Sequence, residues 1–347
     1  MIDLSANTNY WGAPPAAVGA AAAVAGSTYP TRTAEALRHA VGRDLSISAG
    51  QVTTGCGSDD VLASAFRTLG RQAVTQGRGA VVAPVPTFSM VEHFAASAGL
   101  AFRGCPFASG YSLDVDALIT SGAALAYVAS PNNPTGTAVS RADITRFLDA
   151  FDGWTILDEA YVDFGGETCV DLIGAYHRLL VVRTFSKAFG LAGLRIGYAV
   201  GASALIGELE AARGPFQVNA PAEQAAIAAL GGEGRSWVDQ HVREAVASRT
   251  YFQAELAARR IGYVPSQANF VLVPVPDAAA AAAALAERGL GIRPFPDQPG
   301  LGDTVRITVA PRSVMLAVAD ALQEVLQVLL PDLLHDVRQD SAQGIPA

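Results

Sequence analysis

Apolar residues along this chain come in short, near-continuous runs separated by polar breaks rich in glycine and proline. AVVAPVP (80–86), AALAYVAS (123–130), TILDEAY (155–161), LLVVRTFS (179–186) and RIGYAV (195–200) have the length and continuity of strands buried on both faces, and 101–107 fits a further strand. Between them, residues 33–43, FSMVEHFAASAG (88–99) and 140–150 carry helical spacing, and VTTGCGSDDVLASAFRTLG reads as a Gly-rich turn entering a helix. Strands that alternate with helices predict an α/β fold, a mostly parallel sheet covered on both faces.

The ends differ from this middle. The start, IDLSANTNYWGAPPAAV, is polar and turn-rich, an irregular arm leading into a short helix. A helical region over about 221–260 is broken by GGEG at 231–234, and its second half, about 236–260, is long enough to join two domains. Beyond it, NFVLVPV (269–275), an Ala-rich helix at 278–289, GIRPF (291–295), TVRITVA (304–310) and a helix at 313–329 describe a smaller α+β domain. The expected division is therefore an arm at 1–28 that contributes to the small domain, a large domain at 29–240 and a small domain at 241–340, with the last ten or so residues frayed.

Composition narrows the function. Half of the 347 residues are apolar and only 16% charged, with 24 basic against 32 acidic residues and a formal net charge of -8. That balance argues against nucleic acid and anionic membranes as partners. No run of 18 strongly apolar residues and no basic leader predict neither a membrane span nor a signal peptide. Cys56, Cys105 and Cys169 are far apart and odd in number, which fits a reducing cytoplasm, and the five histidines form no metal-ligand spacing. Of the 24 basic residues only one is a lysine, Lys187.

That lysine follows an apolar strand in RTFSKAFGLAGLR, at the sheet edge where α/β folds bind ligands. It reads as a phosphate clamp, a Schiff-base former or a solvated charge. Ordinary surface charge in this chain is given to arginine, and a carbonyl ligand needs a primary amine that arginine cannot supply. Asp158 ends the strand TILDEAY, where a carboxylate needs a partner: a helix cap, an arginine or a protonated ring nitrogen. GCGSDD (55–60) places two glycines at a helix start, where free N–H groups favour an anion, although it lacks the third glycine of a dinucleotide fingerprint.

Together with SPNNPTG (130–136), LDEAY (157–161) and TFSKAFGLAGLRIGY (184–198), these features occur in one order and spacing. The chain thereby resembles the class I/II aminotransferases of fold type I, which depend on pyridoxal 5'-phosphate (PLP), and within them the histidinol-phosphate aminotransferase-like branch. The resemblance implies a large domain built on a mostly parallel seven-stranded sheet between helices, plus the smaller α+β domain. It implies that Lys187 carries the cofactor as a Schiff base and moves the Cα proton. Asp158 would pair with the pyridine nitrogen, Asn133 and Tyr161 would donate to the ring's phenolic oxygen, and Phe88 would stack on the ring. The backbone of Gly57, Ser58 and Asp59 would hold the phosphate, assisted by Ser186 and Arg195. Tyr29 would reach the phosphate of a neighbouring subunit, so a homodimer with shared active sites is expected.

For the substrate, Arg306 matches a family arginine that binds the α-carboxylate or, in the histidinol-phosphate enzymes, the phosphate. Arg293, thirteen residues earlier, matches a second phosphate arginine, and Asn269 a position near the substrate. NTNYWG places Trp11 where the branch has a substrate-facing tyrosine. The expected activity is transamination between a small anionic amine and a 2-oxo acid, with histidinol phosphate and the 2-oxoglutarate/glutamate pair as the first choice. Aromatic amino acids are the first alternative. IDLSANTN is also similar to the threonine-phosphate decarboxylases of cobalamin synthesis, which makes decarboxylation or another specialised reaction the second. A non-catalytic regulatory protein of the same fold fits poorly, because no DNA-binding segment is visible beside the intact lysine, aspartate and arginine set.

Overall fold

A computed structural model of the chain describes residues 1–329. The expected fraying of the C-terminus, and the end of the expected 241–340 unit, lie outside the described residues. In chain order the strands are β1 (Ile2–Asp3), β2 (Val52–Gly55), β3 (Ala80–Val85), β4 (Ala101–Pro106), β5 (Leu125–Ala129), β6 (Trp154–Asp158), β7 (Leu179–Thr184), β8 (Gly197–Gly201), β9 (Phe270–Pro274), β10 (Leu290–Gly291), β11 (Arg293–Gln298) and β12 (Gly302–Thr308). The helices are α1 (Pro15–Ala22), α2 (Glu35–Asp44), α3 (Gly57–Thr75), α4 (Met90–Ser97), α5 (Val115–Thr120), α6 (Arg141–Ala150), α7 (Ser203–Ala211), α8 (Ala220–Leu230), α9 (Gly232–Ala258), α10 (Ala278–Glu287) and α11 (Arg312–Leu329).

Strands β2 to β8 form one seven-stranded sheet in the order β2-β8-β7-β6-β5-β3-β4. Only β8 runs against its neighbours; the other pairs are parallel. The near-continuous apolar runs have a simple cause. Leu179 and Val181 of β7 join the core on one face and Leu180 and Val182 the core on the other, so both parities must be apolar. Each of these side chains is fully buried, which contributes about 1.5–3 kcal/mol apiece. Among the described residues, no helix is long and apolar enough to cross a membrane.

A second, antiparallel sheet has the order β11-β12-β9, and its core packs Val271, Val273, Val305 and Ile307 against Leu285 of α10 and Met315 and Leu322 of α11. The first strand of the chain forms a separate two-stranded parallel sheet with β10, and Leu4 just after it joins the same core. Arg249 of α9 ties the two sheets' loops together, since its Nη1 donates to the carbonyls of Phe164 (3.0 Å) and Ala268 (2.8 Å).

Several element ends differ from the sequence expectation, and the causes are local. β6 stops at Asp158 instead of running to Tyr161, because the Asp158 carboxylate accepts from the Ala160 N–H (3.0 Å) and turns the chain. β7 stops at Thr184, where its hydroxyl accepts from the Ser186 N–H (3.0 Å). α4 begins at Met90, leaving Phe88 in the preceding loop, and β8 begins at Gly197, after Arg195 has taken a φ of +53°. The break at GGEG is narrower than its four residues. Gly231 alone lies outside the helices, while Gly232–Gly234 open α9, and a Cβ at Gly234 would lie 2.2 Å from the Ala228 carbonyl.

Candidate active site

The C-terminal ends of β3, β5, β6 and β7 and the start of α3 face one crevice, the position expected of a ligand site in this sheet topology. The arm at 5–8 and the strands β11 and β12 close it from the other side, leaving a cavity of about 470 Å³. Of the residues singled out in the sequence, Ser58, Asp59, Phe88, Asn133, Asp158, Tyr161, Ser186, Lys187, Arg195, Arg293 and Arg306 line it. The charged lining is four bases against two acids, although the whole chain is acidic. An anion is drawn into such a site.

Lys187 sits at the end of the turn that follows β7. Its Nζ donates to the carbonyls of Ala6 (3.3 Å) and Asn7 (3.4 Å) and, among the described residues, meets no carboxylate. The backbone around it is held from the arm, where Asn9 Nδ2 donates to the carbonyls of Lys187 (3.1 Å) and Ala188 (3.0 Å). Opposite stands Asp158, buried at the end of β6. Burial pushes its carboxyl up to about 6, against the opposing effect of hydrogen bonds from the Tyr127 hydroxyl (2.7 Å) and the Ala160 N–H. A buried carboxylate without a cation among the described residues is costly, and a positive charge entering the cavity would relieve that cost.

The helix start is equally prepared. No side chain caps α3, and its first N–H groups are left for a ligand. Arg195 lies beside them, its Nη2 3.1 Å from Asp59 Oδ2. This closeness requires glycine: a Cβ at Gly57, whose φ is +79°, would lie 2.5 Å from that Nη2. A Cβ at Gly197 would lie 2.4 Å from the Ser58 nitrogen.

On the far wall, Arg293 and Arg306 occupy facing positions of the antiparallel β11–β12 pair. Arg306 is buried between the Phe270 and Phe295 rings, 5.3 Å from each centroid. Its guanidinium donates to Asn133 Oδ1 and to the Ser5 carbonyl (2.7 Å), and its Nε has no partner among the described residues. Burial, and to a smaller degree Arg293, pushes its pKa down.

Four of the expected site residues stand outside the lining. Gly57 lies behind it at the helix start. Asn269 is buried one layer back, donating to the Asn7 carbonyl (3.1 Å), and Trp11 packs between two hydrophobic cores instead of facing the cavity. Tyr29 is 83% exposed, with its ring 5.2 Å from that of Phe216. Conversely, Tyr127 and Asn7 contribute to the cavity without having been singled out. Tyr127 had a signal, a phenol inside the otherwise apolar run AALAYVAS. Asn7 had none that its own segment supplies.

A family model described as aminotransferase class I and II matches residues 1–322. The chain belongs to this family. It is 37% identical over 344 residues to a histidinol-phosphate aminotransferase of Roseiflexus castenholzii, covering 94% of this chain and 90% of that protein. Among solved structures, the histidinol-phosphate aminotransferase of Sinorhizobium meliloti in complex with pyridoxal-5'-phosphate superposes with a TM-score of 0.82 at 26% identity, covering 94% and 91% of the two chains. The L-threonine-O-3-phosphate decarboxylase of Porphyromonas gingivalis gives the same TM-score at 22% identity, covering 94% and 100%, so the fold alone does not distinguish the two chemistries.

This aminotransferase, of the histidinol-phosphate aminotransferase-like branch, is a PLP-dependent enzyme, and the cavity can be tested against that cofactor. Lys187 supplies an amine whose hydrogen-bond partners among the described residues are backbone carbonyls. The buried Asp158 lacks a cationic partner among the described residues, and the uncapped start of α3 with Arg195 offers a phosphate cradle. The residues fit the group.

Proposed function

We propose that this aminotransferase takes its amino group from histidinol phosphate, with 2-oxoglutarate and glutamate as the partner pair, in a site organised around Lys187. The observation that carries the substrate is the Arg293–Arg306 pair. Like charges on facing strand positions repel, and neither arginine forms a salt bridge to a carboxylate among the described residues. A phosphate between the two guanidinia would relieve the repulsion through paired charge-assisted hydrogen bonds. The histidinol-phosphate aminotransferases that the chain matches act on such a substrate, as their names state.

Bound PLP supplies a reactive aldehyde carbon and a ring that accepts the electron pair left when Cα loses its proton. The chain's own residues do the rest. Lys187 Nζ would hold the cofactor through its aldehyde carbon and, when free, would be the base that moves the proton from Cα. Asp158 would hold a proton on the ring nitrogen, because its carboxylate is favoured as soon as a cation faces it. Asn133 and Tyr161 would donate to the phenolic oxygen, Phe88 would cover a ring face, and Ser58, Ser186 and Arg195 would hold the phosphate. Tyr29, exposed beside Phe216, reaches a second copy of the chain in a homodimer.

The test adds histidinol phosphate to the PLP-loaded protein without a keto acid. Loss of the visible cofactor band, restored by 2-oxoglutarate, is the expected result. An unchanged band rejects this substrate, and release of carbon dioxide without any keto-acid requirement would replace transamination by decarboxylation.

A further inference from the structure

Asn7 is the least explained residue of the cavity. It is buried, 1% exposed, in the arm segment ANTN, and holds a left-handed backbone with φ +54°. Such a conformation is uncommon outside glycine and is tolerated best by Asn and Asp. It persists because three bonds fix the backbone. The Asn7 N–H donates to Thr308 Oγ1 (3.0 Å), and its carbonyl accepts from Asn269 Nδ2 (3.1 Å) and from Lys187 Nζ (3.4 Å). The Thr308 hydroxyl spends its own hydrogen on the Leu4 carbonyl (2.6 Å).

The side chain thus has one strong contact left, and it points into the site. Asn7 Nδ2 donates to the Tyr161 hydroxyl oxygen at 2.9 Å. A phenol has a single hydrogen and can accept as well as donate. Tyr161 is itself buried, with its ring edge-on to Phe270 at 5.1 Å, so the hydroxyl has little freedom to choose other partners. Among the described residues no protein acceptor takes the Tyr161 hydrogen.

We infer that Asn7 is a positioning residue that fixes the polarity of Tyr161. By filling an acceptor site on the phenol oxygen, the amide leaves the Tyr161 hydrogen pointed into the cavity, committed to an acceptor on the bound ligand. Because Asn7 sits on the arm, whose neighbours Leu4 and Ser5 bond to Thr308 and Arg306 of β12, the arm thereby aligns a donor of the large sheet with the wall that carries the arginines. The inference rests on the reading of the cavity as the PLP site with Tyr161 facing the phenolic oxygen.

The decisive variant is Asn7→Asp. It keeps size and tolerance of the left-handed backbone but presents only acceptors, so the Tyr161 hydrogen turns away from the cavity. Full-length native protein, N7D, Tyr161→Phe and the double variant are compared by equilibrium PLP affinity and by the pH midpoint of the bound cofactor's visible band. Losing a donor to an anionic oxygen is expected to weaken PLP binding about tenfold and to raise the midpoint, equally in N7D and Y161F. In the Y161F background N7D should add less than about twofold, since Asn7 acts through that hydroxyl. Asn7→Gly, which keeps the positive φ without an amide, should fall between native and N7D.

A native-like affinity and midpoint in N7D overturns the inference, as do costs that multiply in the double variant, which would reveal a direct charge effect of the new carboxylate. Failure of the native protein to take up PLP is a different result and removes the proposed function itself.

Discussion

The two walls of the cavity are built by opposite strategies. The floor, at the edge of the seven-stranded sheet, carries each polar group on or beside a buried strand: Asp158 closes β6, Tyr127 lies within β5, and Lys187 follows β7 by three residues. Its buried acid in the cavity lining, Asp158, stands without a cation among the described residues. The roof, made of the arm and β11–β12, carries excess positive charge on a small sheet edge and fixes it by contacts that jump across the chain, as from Arg306 to Ser5 and Asn133. In the proposed function the floor would hold the cofactor, and the roof would choose among anionic substrates.

Substitutions should break this contrast in a graded way. The largest effect belongs to Lys187→Ala, with activity down by at least about a thousandfold on every amino donor. Lys187→Arg should be no better, because charge without a primary amine does not serve. Asp158→Asn comes next, with kcat/KM down by about a hundredfold or more, again for all donors.

The cofactor-free protein gives an independent reading of Asp158. Its carboxyl titrates near 6 when folded, above its ordinary value of 3.8, so the folded state binds the proton more tightly than the unfolded one. The stabilisation is then present below about pH 4 and is lost as pH rises through 6, by roughly 3 kcal/mol. The unfolding free energy of D158N from urea titrations should fall that much less between pH 4 and 6 than that of the native protein. Equal slopes in the two proteins would contradict the burial of an unpaired acid.

Roof variants should discriminate where floor variants do not. Arg293→Gln is expected to raise KM for a phosphate-bearing donor by about 10- to 100-fold with kcat little changed. Arg306→Gln should raise KM similarly and also lower kcat, because that guanidinium anchors Asn133. Steady-state kinetics on a phosphorylated and an unphosphorylated donor separates these cases. A loss shared equally by both donors would move Arg293 out of the substrate site. The smallest expected change is that of Tyr127→Phe, a few-fold weaker hold on PLP. It also moves the Asp158 transition of the cofactor-free protein to higher pH, since the lost hydrogen bond was lowering that pKa.

The same contrast explains what could be read from the sequence. SPNNPTG, LDEAY and TFSKAFGLAGLRIGY each place polar residues at the end of an apolar run, so the floor is written locally, and these residues line the cavity. Strand ends were read too long at Asp158 and Thr184, because side chains that cap a turn look like further strand residues in a periodicity. The roof is non-local. Asn7 meets Tyr161 across 154 positions of sequence and Thr308 across 301, and no spacing within IDLSANTN announces either contact. Trp11 was placed by its neighbours in a motif, yet the arm turns it into the core seam between the sheets. Tyr127 was legible but ambiguous, since a phenol in a buried strand looks like packing until its hydroxyl is seen 2.7 Å from Asp158.

The central claim is that Lys187, the one lysine of the chain, carries the cofactor. Full-length protein loaded with PLP should be reduced with borohydride, digested and mapped by mass. The expected result is a pyridoxyl-phosphate adduct on the peptide that contains Lys187, absent from an unreduced control. A protein that has taken up PLP and yet leaves that peptide unmodified would contradict the assignment.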